Sequence, residues 1–215
     1  MFIAIEGCDG VGKQTQTERL RQACKARGLN PKVYSFPRYE TELGALMSAH
    51  LRGNVALQIT GSIFTCDVAR ANKLMFQCLA TADKYTAAQE IRQDLVEGRT
   101  VIVDRWWQSA YAYGISDGID PVWLLQLSAN LPQADFNFLL ETPYEIVRKR
   151  KPIPDDHYEA DAKKQVEVAG LYRNLWRRNA KTANAVWRII DTSAADDPQV
   201  AHLEILRGLR DSKHF

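Results

Sequence analysis

The chain has 215 residues, of which 46% are hydrophobic, and its 28 basic and 26 acidic side chains leave a net charge of only +2. The length predicts one domain over residues 1–215. The balance of charge gives no reason to expect a nucleic-acid or membrane partner. The four cysteines form no C-x-x-C pair, and the N-terminus lacks a leader pattern, so we expect free thiols in a cytoplasmic protein.

Short apolar segments alternate along the chain with longer segments of helical pattern. In chain order, the strand candidates are Phe2–Glu6, Lys32–Phe36, Thr100–Asp104, Phe136–Glu141 and Val186–Ile190. Continuous apolar runs of this length are typical of strands that are buried on both faces of a parallel sheet. The alternation therefore predicts a doubly wound α/β fold, in which ligands bind beyond the carboxyl ends of the strands.

The segments between the strands carry signals for helix ends. An amphipathic helix over Thr17–Lys25 stops near Gly28, which suits the position just after a C-cap. Residues 142–145, Thr-Pro-Tyr-Glu, have the pattern of a capping box with proline at the first helical position. A long helix is predicted over 67–97, and Asp-Pro at 197–198 predicts the start of a final helix.

The strongest motif is Gly-Cys-Asp-Gly-Val-Gly-Lys at residues 7–13, between a strand and a helix. Its glycines let backbone N–H groups approach phosphate oxygens, and the helix N-terminus adds partial positive charge. Lys13 supplies a mobile positive charge for the β- and γ-phosphates of a nucleotide. The next position usually carries a Ser or Thr that binds Mg²⁺. Here Gln14 and then Thr15 follow, and either of them, or water, can ligate the metal.

A second charged element ends the strand candidate at Thr100–Asp104. Asp104 can hold Mg²⁺ through water, and Arg105 can clamp a phosphate with two parallel hydrogen bonds. A simple ion pair at a strand end is the competing interpretation of these two residues. Their occurrence in a chain with a phosphate loop favours nucleotide binding.

Six segments, in this order along the chain, resemble thymidylate kinases. They are FIAIEGCDGVGKQTQ, SFPRYETELG, LATADKY, VDRWWQSAYAYG, FLLETPYEIVRKR and DDHYE. The resemblance implies a three-layer P-loop kinase fold, with a five-stranded parallel sheet flanked by helices and a short mobile lid over about 148–160. It also implies that a homodimer transfers the γ-phosphate of ATP to dTMP, with Mg²⁺ as cofactor.

The motifs and the resemblance together name the candidate site residues. The catalytic group consists of Asp9, Lys13, Arg105 and Arg150. The ATP-binding group consists of Gly7, Asp9, Gly10, Val11, Gly12, Lys13, Gln14, Thr15 and Arg148. The acceptor-binding group consists of Asp9, Phe36, Arg38, Ala80, Lys84, Arg105, Ser109, Tyr113 and Tyr158. The Mg²⁺ ligands, directly or through water, are Gln14 and Asp104.

The chain departs from the family pattern around the acceptor base. Ala80 stands where the family places an aromatic ring that stacks on the base, so Phe76 or Phe36 is expected to supply that ring. Lys84 replaces an arginine that reads the base edge, and Gly114 replaces a larger polar residue. Because alanine and glycine both remove volume, the alternative hypothesis is a roomier pocket for 5-hydroxymethyl-dUMP or a purine deoxynucleotide.

Three other functional classes compete less well. A regulatory GTPase needs an Asn-Lys-x-Asp motif, which the similar stretch at 72–75 lacks. A deoxynucleoside kinase shares the fold but has no need of the acceptor-phosphate clamps Arg38 and Arg105. A non-catalytic nucleotide-binding protein is disfavoured by the retained Lys13 and Asp9.

Purely structural interpretations compete for several of these residues. The basic run at 148–151 can be a solvated helix end that complements the helix dipole. Arg38 can be an exposed turn residue, and Tyr113 can be a core side chain. Trp106 and Trp107 are expected to pack in the core rather than to stack on a base.

Overall fold

The computed structural model describes residues 1–52, 68–154, 157–180, 185–194 and 197–210. Its strands are β1 (Phe2–Glu6), β2 (Pro31–Ser35), β3 (Thr100–Asp104), β4 (Phe136–Glu141) and β5 (Val186–Asp191). They form one sheet in the order β2-β3-β1-β4-β5, and every neighbouring pair is parallel. The predicted five-stranded parallel sheet is therefore confirmed, although β2 lies one residue earlier than expected and β5 ends one residue later.

The helices lie in layers on the two faces of this sheet. Those that the structure describes are α1 (Lys13–Ala26), α2 (Glu42–Leu51), α3 (Val68–Val96), α4 (Trp107–Ser116), α5 (Pro121–Ser128), α6 (Tyr144–Arg150), α7 (His157–Ala160), α8 (Ala162–Asn179) and α9 (Pro198–Arg210). None of the helices in the described part of the chain is long and apolar enough to cross a membrane.

Alternation along β1 divides the core into two parts, because successive side chains of a strand point to opposite faces. Phe2 and Ala4 pack with α3, α4 and α8, whereas Ile3 and Ile5 pack with α1 and α9. Trp106, just after β3, is fully buried, and its ring meets that of Phe2 edge-on at 5.7 Å. The packing role predicted for this tryptophan is therefore confirmed.

The helix-end predictions had different outcomes. Gly28 adopts a φ of +76° after α1, and the Leu29 N–H donates to the Cys24 carbonyl at 3.1 Å, as expected of a glycine-terminated helix. Asp197 caps α9 by accepting from the Gln199 N–H at 2.8 Å. The capping box at 142–145 is wrong: Pro143 holds the N-cap position of α6, and the Thr142 hydroxyl pairs with that of Thr192 at 2.6 Å.

Candidate active site

The phosphate loop joins β1 to α1, as its motif predicts. Gly7 has a φ of +142°, and a Cβ atom there would lie 2.4 Å from the Leu140 carbonyl oxygen, so only glycine fits. Gly12 adopts a φ of +95° as the N-cap residue of α1. Lys13 is buried, and its Nζ crosses the loop to donate to the Cys8 carbonyl at 2.7 Å. The loop is thus closed around a lysine that also lines the cleft above it.

Asp9 and Arg105 meet at the carboxyl edge of the sheet. Arg105 has a positive φ of 68°, which turns the chain after β3. Its Nη2 donates to Asp9 Oδ1, and its Nη1 donates to the Gly7 carbonyl at 3.1 Å and to Ser109 Oγ at 3.3 Å. The Tyr113 hydroxyl donates to Asp9 Oδ2 at 2.8 Å. Five residues assigned to the site in the sequence therefore converge in one cluster.

The charge on Asp9 is held by its cationic neighbours. Burial alone would raise the pKa of Asp9, but Arg105, Lys13 and the Tyr113 hydroxyl together lower that pKa to about 2. The carboxylate is consequently ionised at neutral pH, which suits a residue that orients Arg105 rather than one that donates a proton.

Glu6 is a member of this cluster that the sequence reasoning missed. This fully buried carboxylate, at the end of β1, accepts from the Trp106 N–H and from Ser109 Oγ, both at 2.6 Å, and from the Tyr172 hydroxyl at 3.0 Å. Burial raises the pKa of Glu6, although its donors oppose that shift. A charged residue at the end of an otherwise apolar strand was the available signal. Its effect is to fix Ser109 and the turn that carries Arg105.

A central cleft of about 920 Å³ lies over this cluster. The predicted residues on its walls are Asp9, Gly10, Gly12, Lys13, Gln14, Thr15, Phe36, Asp104 and Arg105. Oδ1 of Asp104 is buried and has no hydrogen-bond partner among the described residues. Because a buried carboxylate oxygen ordinarily has a partner, this atom is suited to a cation or to the water shell of one.

A smaller cavity of about 100 Å³ opens from the cleft beside α3. The predicted acceptor-binding residues on its walls are Asp9, Phe36, Ala80, Lys84, Arg105, Ser109, Tyr113 and Tyr158. Both candidate stacking rings, Phe36 and Phe76, lie there, and Tyr158 packs edge-on against Tyr113 with centroids 5.5 Å apart. Its aromatic walls and its few polar groups suit the face and the edge of a nucleobase.

Lys84 points into the same cavity from a buried position. Its Nζ donates to the Ala80 carbonyl at 2.9 Å and lies 5.4 Å from the centre of the Phe36 ring. Burial lowers the pKa of Lys84 to about 8, against an opposing effect of Glu6. The ammonium therefore stays mostly charged at pH 7, where it can donate to a carbonyl oxygen, and it loses its proton as pH rises through about 8.

Gly114 and Arg38 are placed differently from the expectations. Gly114 does not line the acceptor cavity: a Cβ atom there would meet Leu124 side-chain carbons at 2.8 Å, so its smallness serves the packing of α4 on α5. The Arg38 guanidinium also stays out of the cavities described here, because Nε donates to the fully buried Asp83 at 2.8 Å. Arg38 therefore ties the segment after β2 to α3. Because Gly114 lies outside the cavity, the hypothesis of a roomier pocket rests on Ala80 alone.

A third cavity, of about 270 Å³, lies on the far side of the phosphate loop. Gly10, Val11, Gly12 and Thr15 contribute to it as predicted, and the segment after β5 supplies walls that the sequence reasoning missed. These further wall residues are Asp191, Thr192, Ala194, Asp197 and Pro198. They lie between the last residue of β5 and the first residue of α9, and no motif marks them in the sequence, so only the fold reveals them.

The arginines of the basic run at 148–151 bind backbone carbonyls. Arg150 lines the third cavity, and its Nη2 donates to the Thr192 carbonyl at 2.7 Å. Arg148 Nη2 donates to the Pro152 carbonyl at 2.7 Å. Neither arginine lines the central cleft, which Lys151 reaches while paired with Glu159 at 2.7 Å. Arg150 thus lies outside the central cleft in this structure, because the segment after β5 holds its guanidinium, and its catalytic role stays a prediction.

The comparisons with known proteins agree with this geometry. The family model "Thymidylate kinase" matches residues 5–202. Thymidylate kinases of Dictyostelium discoideum and Homo sapiens are 27% and 25% identical, over 92% and 89% of this chain and 80% and 82% of theirs. A probable thymidylate kinase of Methanosphaera stadtmanae is 29% identical over 70% of this chain and 71% of its own.

A solved structure shares the fold. The thymidylate kinase of Candida albicans superposes with a TM-score of 0.79 at 24% identity, over 99% of this chain and 92% of that chain. These matches do not favour the alternative acceptors, and the recognition made from six sequence segments is confirmed. The chain belongs to the thymidylate kinase family, a family of ATP-dependent nucleoside-monophosphate kinases.

Proposed function

We propose that the three cavities carry out the family reaction in this chain, the transfer of the γ-phosphate of ATP to dTMP. The observation that carries the proposal is the position of the Asp9–Arg105 pair. Both residues line the central cleft and also the smaller acceptor cavity beside α3, so they lie at the junction of the two. A deoxynucleotide whose base lies in the acceptor cavity would place its 5′-phosphate within the charged cleft.

The donor nucleotide fits the other end of the cleft. The phosphate loop and Lys13 would hold the β- and γ-phosphates, and the cavity lined by Arg150 and Pro198 would hold the adenine. An oxygen of the dTMP phosphate attacks the γ-phosphorus, the bond to the β-phosphate oxygen breaks, and ADP leaves. Arg105 would align the acceptor phosphate, while Lys13 would offset the negative charge that collects on the transferring group.

Magnesium fits the residues of the cleft as a nucleotide-bound ion. The described residues contain no cluster of three or more His, Cys, Asp or Glu side chains suited to a metal. Asp104, with its buried unpartnered oxygen, and the exposed Gln14 therefore would contribute only part of the coordination, and phosphates and water the rest. When bound, the ion would offset the negative charge of the donor phosphates, and Asp104 and Gln14 would hold it beside the phosphate loop.

The remaining expectations keep the status of proposals. Residues from Asp9 to Ala201 line the three cavities, which supports one domain over residues 1–215. The lid over about 148–160 stays a prediction. We also propose a homodimer, for which light scattering is expected to give about twice the 24.4 kDa of the chain. A cytoplasmic location stays a prediction.

The direct test is turnover with and without a phosphate on the acceptor. Purified protein is incubated with ATP, Mg²⁺ and either dTMP or thymidine, and ADP and dTDP are separated by anion exchange. We expect dTDP and ADP in equal amounts from dTMP, little product from thymidine, and loss of activity by at least about 100-fold in Lys13→Ala. Phosphorylation of thymidine in preference to dTMP would contradict the proposal.

A further inference from the structure

Gln77 is a polar side chain in the acceptor cavity to which neither the motifs nor the family resemblance gives a role. It lies on α3, it lines the cavity, and it is only 1% exposed. Neither its Oε1 nor its Nε2 has a hydrogen-bond partner among the described residues. A buried amide without partners costs free energy, and such a group in a cavity wall is suited to a ligand that supplies them.

The position of Gln77 on its helix directs it to the base. Residues three, four and seven apart on a helix share a face, so Gln77, Ala80 and Lys84 form one stripe along the cavity wall. Ala80 contributes only a methyl group to this stripe. The Lys84 ammonium reaches back to the Ala80 carbonyl, toward the turn that carries Gln77. The cavity wall therefore combines the space beside Ala80 with the polar ends of Gln77 and Lys84.

The chemistry of the amide matches the imide edge of thymine. A glutamine presents one acceptor, Oε1, and one donor group, Nε2, side by side. Thymine presents the N3–H donor between two carbonyl acceptors, so it can form two parallel hydrogen bonds with an amide. We infer that Gln77 reads this edge in the proposed acceptor site, with N3–H donating to Oε1 and Nε2 donating to a ring carbonyl.

Lys84 supplies the discrimination that an amide alone lacks. A glutamine can turn its amide over and pair with the N3 and amino groups of cytosine as well. A protonated lysine only donates, so at the 4-position of the base it is suited to the carbonyl of thymine and not to the amino group of cytosine. The inference rests on the proposed function, because it needs a deoxynucleotide base in this cavity.

The test is a double-mutant-type cycle in which the Gln77 amide is removed from the enzyme and the N3–H is removed from the substrate. Wild type and Gln77→Leu are assayed with dTMP and with N3-methyl-dTMP, which lacks the N3–H. For wild type we expect kcat/KM with dTMP to exceed that with N3-methyl-dTMP by at least about tenfold. In Gln77→Leu this ratio is expected to fall below about threefold, and kcat/KM for dTMP itself is expected to fall roughly tenfold. The control is Thr81→Val, one turn away, whose buried hydroxyl is also unpartnered among the described residues but does not line the cavity. It is expected to keep the wild-type ratio.

Thermal unfolding without ligand distinguishes a role of Gln77 in recognising the base from a role in stabilising the fold. Gln77→Leu removes an amide that has no partner among the described residues, so its Tm is expected to equal or exceed that of wild type. A lower Tm, a variant that does not fold, or an unchanged acceptor ratio would overturn the inference. A wild-type enzyme that does not phosphorylate dTMP would instead overturn the proposed function itself, and the inference with it.

Discussion

The guanidinium of Arg105 binds three parts of the site at once, through two terminal nitrogens. One terminal nitrogen binds Asp9, and the other binds the Gly7 carbonyl and Ser109. A lysine ammonium is a compact point charge that lacks this planar fork. The role of Arg105 therefore depends on its shape as well as on its charge.

Arg105→Lys is accordingly expected to lower kcat/KM for dTMP by at least about 100-fold, because the preserved charge cannot replace the two-sided geometry. The KM for ATP is expected to change little. Steady-state kinetics with each substrate varied in turn gives both values. A variant that keeps half of the wild-type kcat/KM would show that charge alone suffices.

Lys84 gives the site a dependence on pH. Its pKa is lowered by burial from its ordinary value to about 8, so the ammonium that we expect to donate to the base is lost as pH rises through that value. We expect wild-type kcat/KM for dTMP to fall above about pH 8, and Lys84→Arg, which stays charged, to remove that decline. A wild-type profile that is flat to pH 9.5, or an Arg variant that keeps the decline, would contradict this assignment.

The same shift has a consequence for stability. Between about pH 8 and the ordinary lysine pKa of 10.5, the unfolded chain binds a proton at Lys84 that the folded chain does not, so this residue adds stability as pH rises. Lys84→Met is therefore expected to be more stable than wild type at pH 7. Urea unfolding at pH 7 and at pH 10 should show that the advantage shrinks at the higher pH.

At this scale the sequence predicts best where function depends on local chain geometry. The phosphate loop, Lys13 and Arg105 follow from a strand, a turn and a helix in fixed order. Gln77 and Glu6 could not be placed in the same way, since their roles depend on which side chains other elements bring near them. The contacts of Arg150 could not be predicted for the same reason, because carbonyls of the segment after β5 hold its guanidinium.

Among the elements, the end of α4 holds α7 and α8 over the acceptor cavity. Asp117, which is largely buried, accepts from the Tyr158 hydroxyl at 2.6 Å and from Lys164. Lys73 of α3 donates to the Asp117 carbonyl at 3.2 Å. A single carboxylate thus ties the wall formed by Tyr158 to the body of the protein.

Tyr158→Phe tests this connection with the removal of one atom. The free energy of unfolding is expected to fall by about 2 kcal/mol, because a buried carboxylate loses a donor. Urea unfolding measures the change. Tyr144→Phe is the matched control, since no hydrogen bond of its hydroxyl occurs among the described residues, and a change within about 0.5 kcal/mol is expected there. Equal effects of the two substitutions would contradict the account of Asp117.

The elements themselves were largely predictable, and their ends were less so. Period and composition located each of the five strands in the described part of the chain, because buried parallel strands are continuous apolar runs. The capping box failed because the Thr142 hydroxyl found a partner in Thr192, 50 residues along the chain. A local pattern gives no information about such a contact.

At the scale of the whole molecule, parallel strands bring distant segments to one edge of the sheet. The ends of β1 and β3 supply the phosphate loop and Arg105, and the segment after β5 closes the donor side. Alternation of strands and helices predicted the fold class. The order β2-β3-β1-β4-β5 and the three connected cavities follow from packing between distant segments, which alternation does not specify.

The most direct test of the central claim is a competition among acceptors in one vessel. Equal concentrations of dTMP, dUMP, dCMP, dGMP and dAMP share a limiting amount of ATP with Mg²⁺, and mass spectrometry of the diphosphates gives the ratios of kcat/KM. We expect dTDP to exceed the cytosine and purine products by at least about tenfold, because Gln77 and Lys84 in the cavity wall match the imide edge of thymine. A mixture in which a purine or cytosine diphosphate predominates would contradict the account.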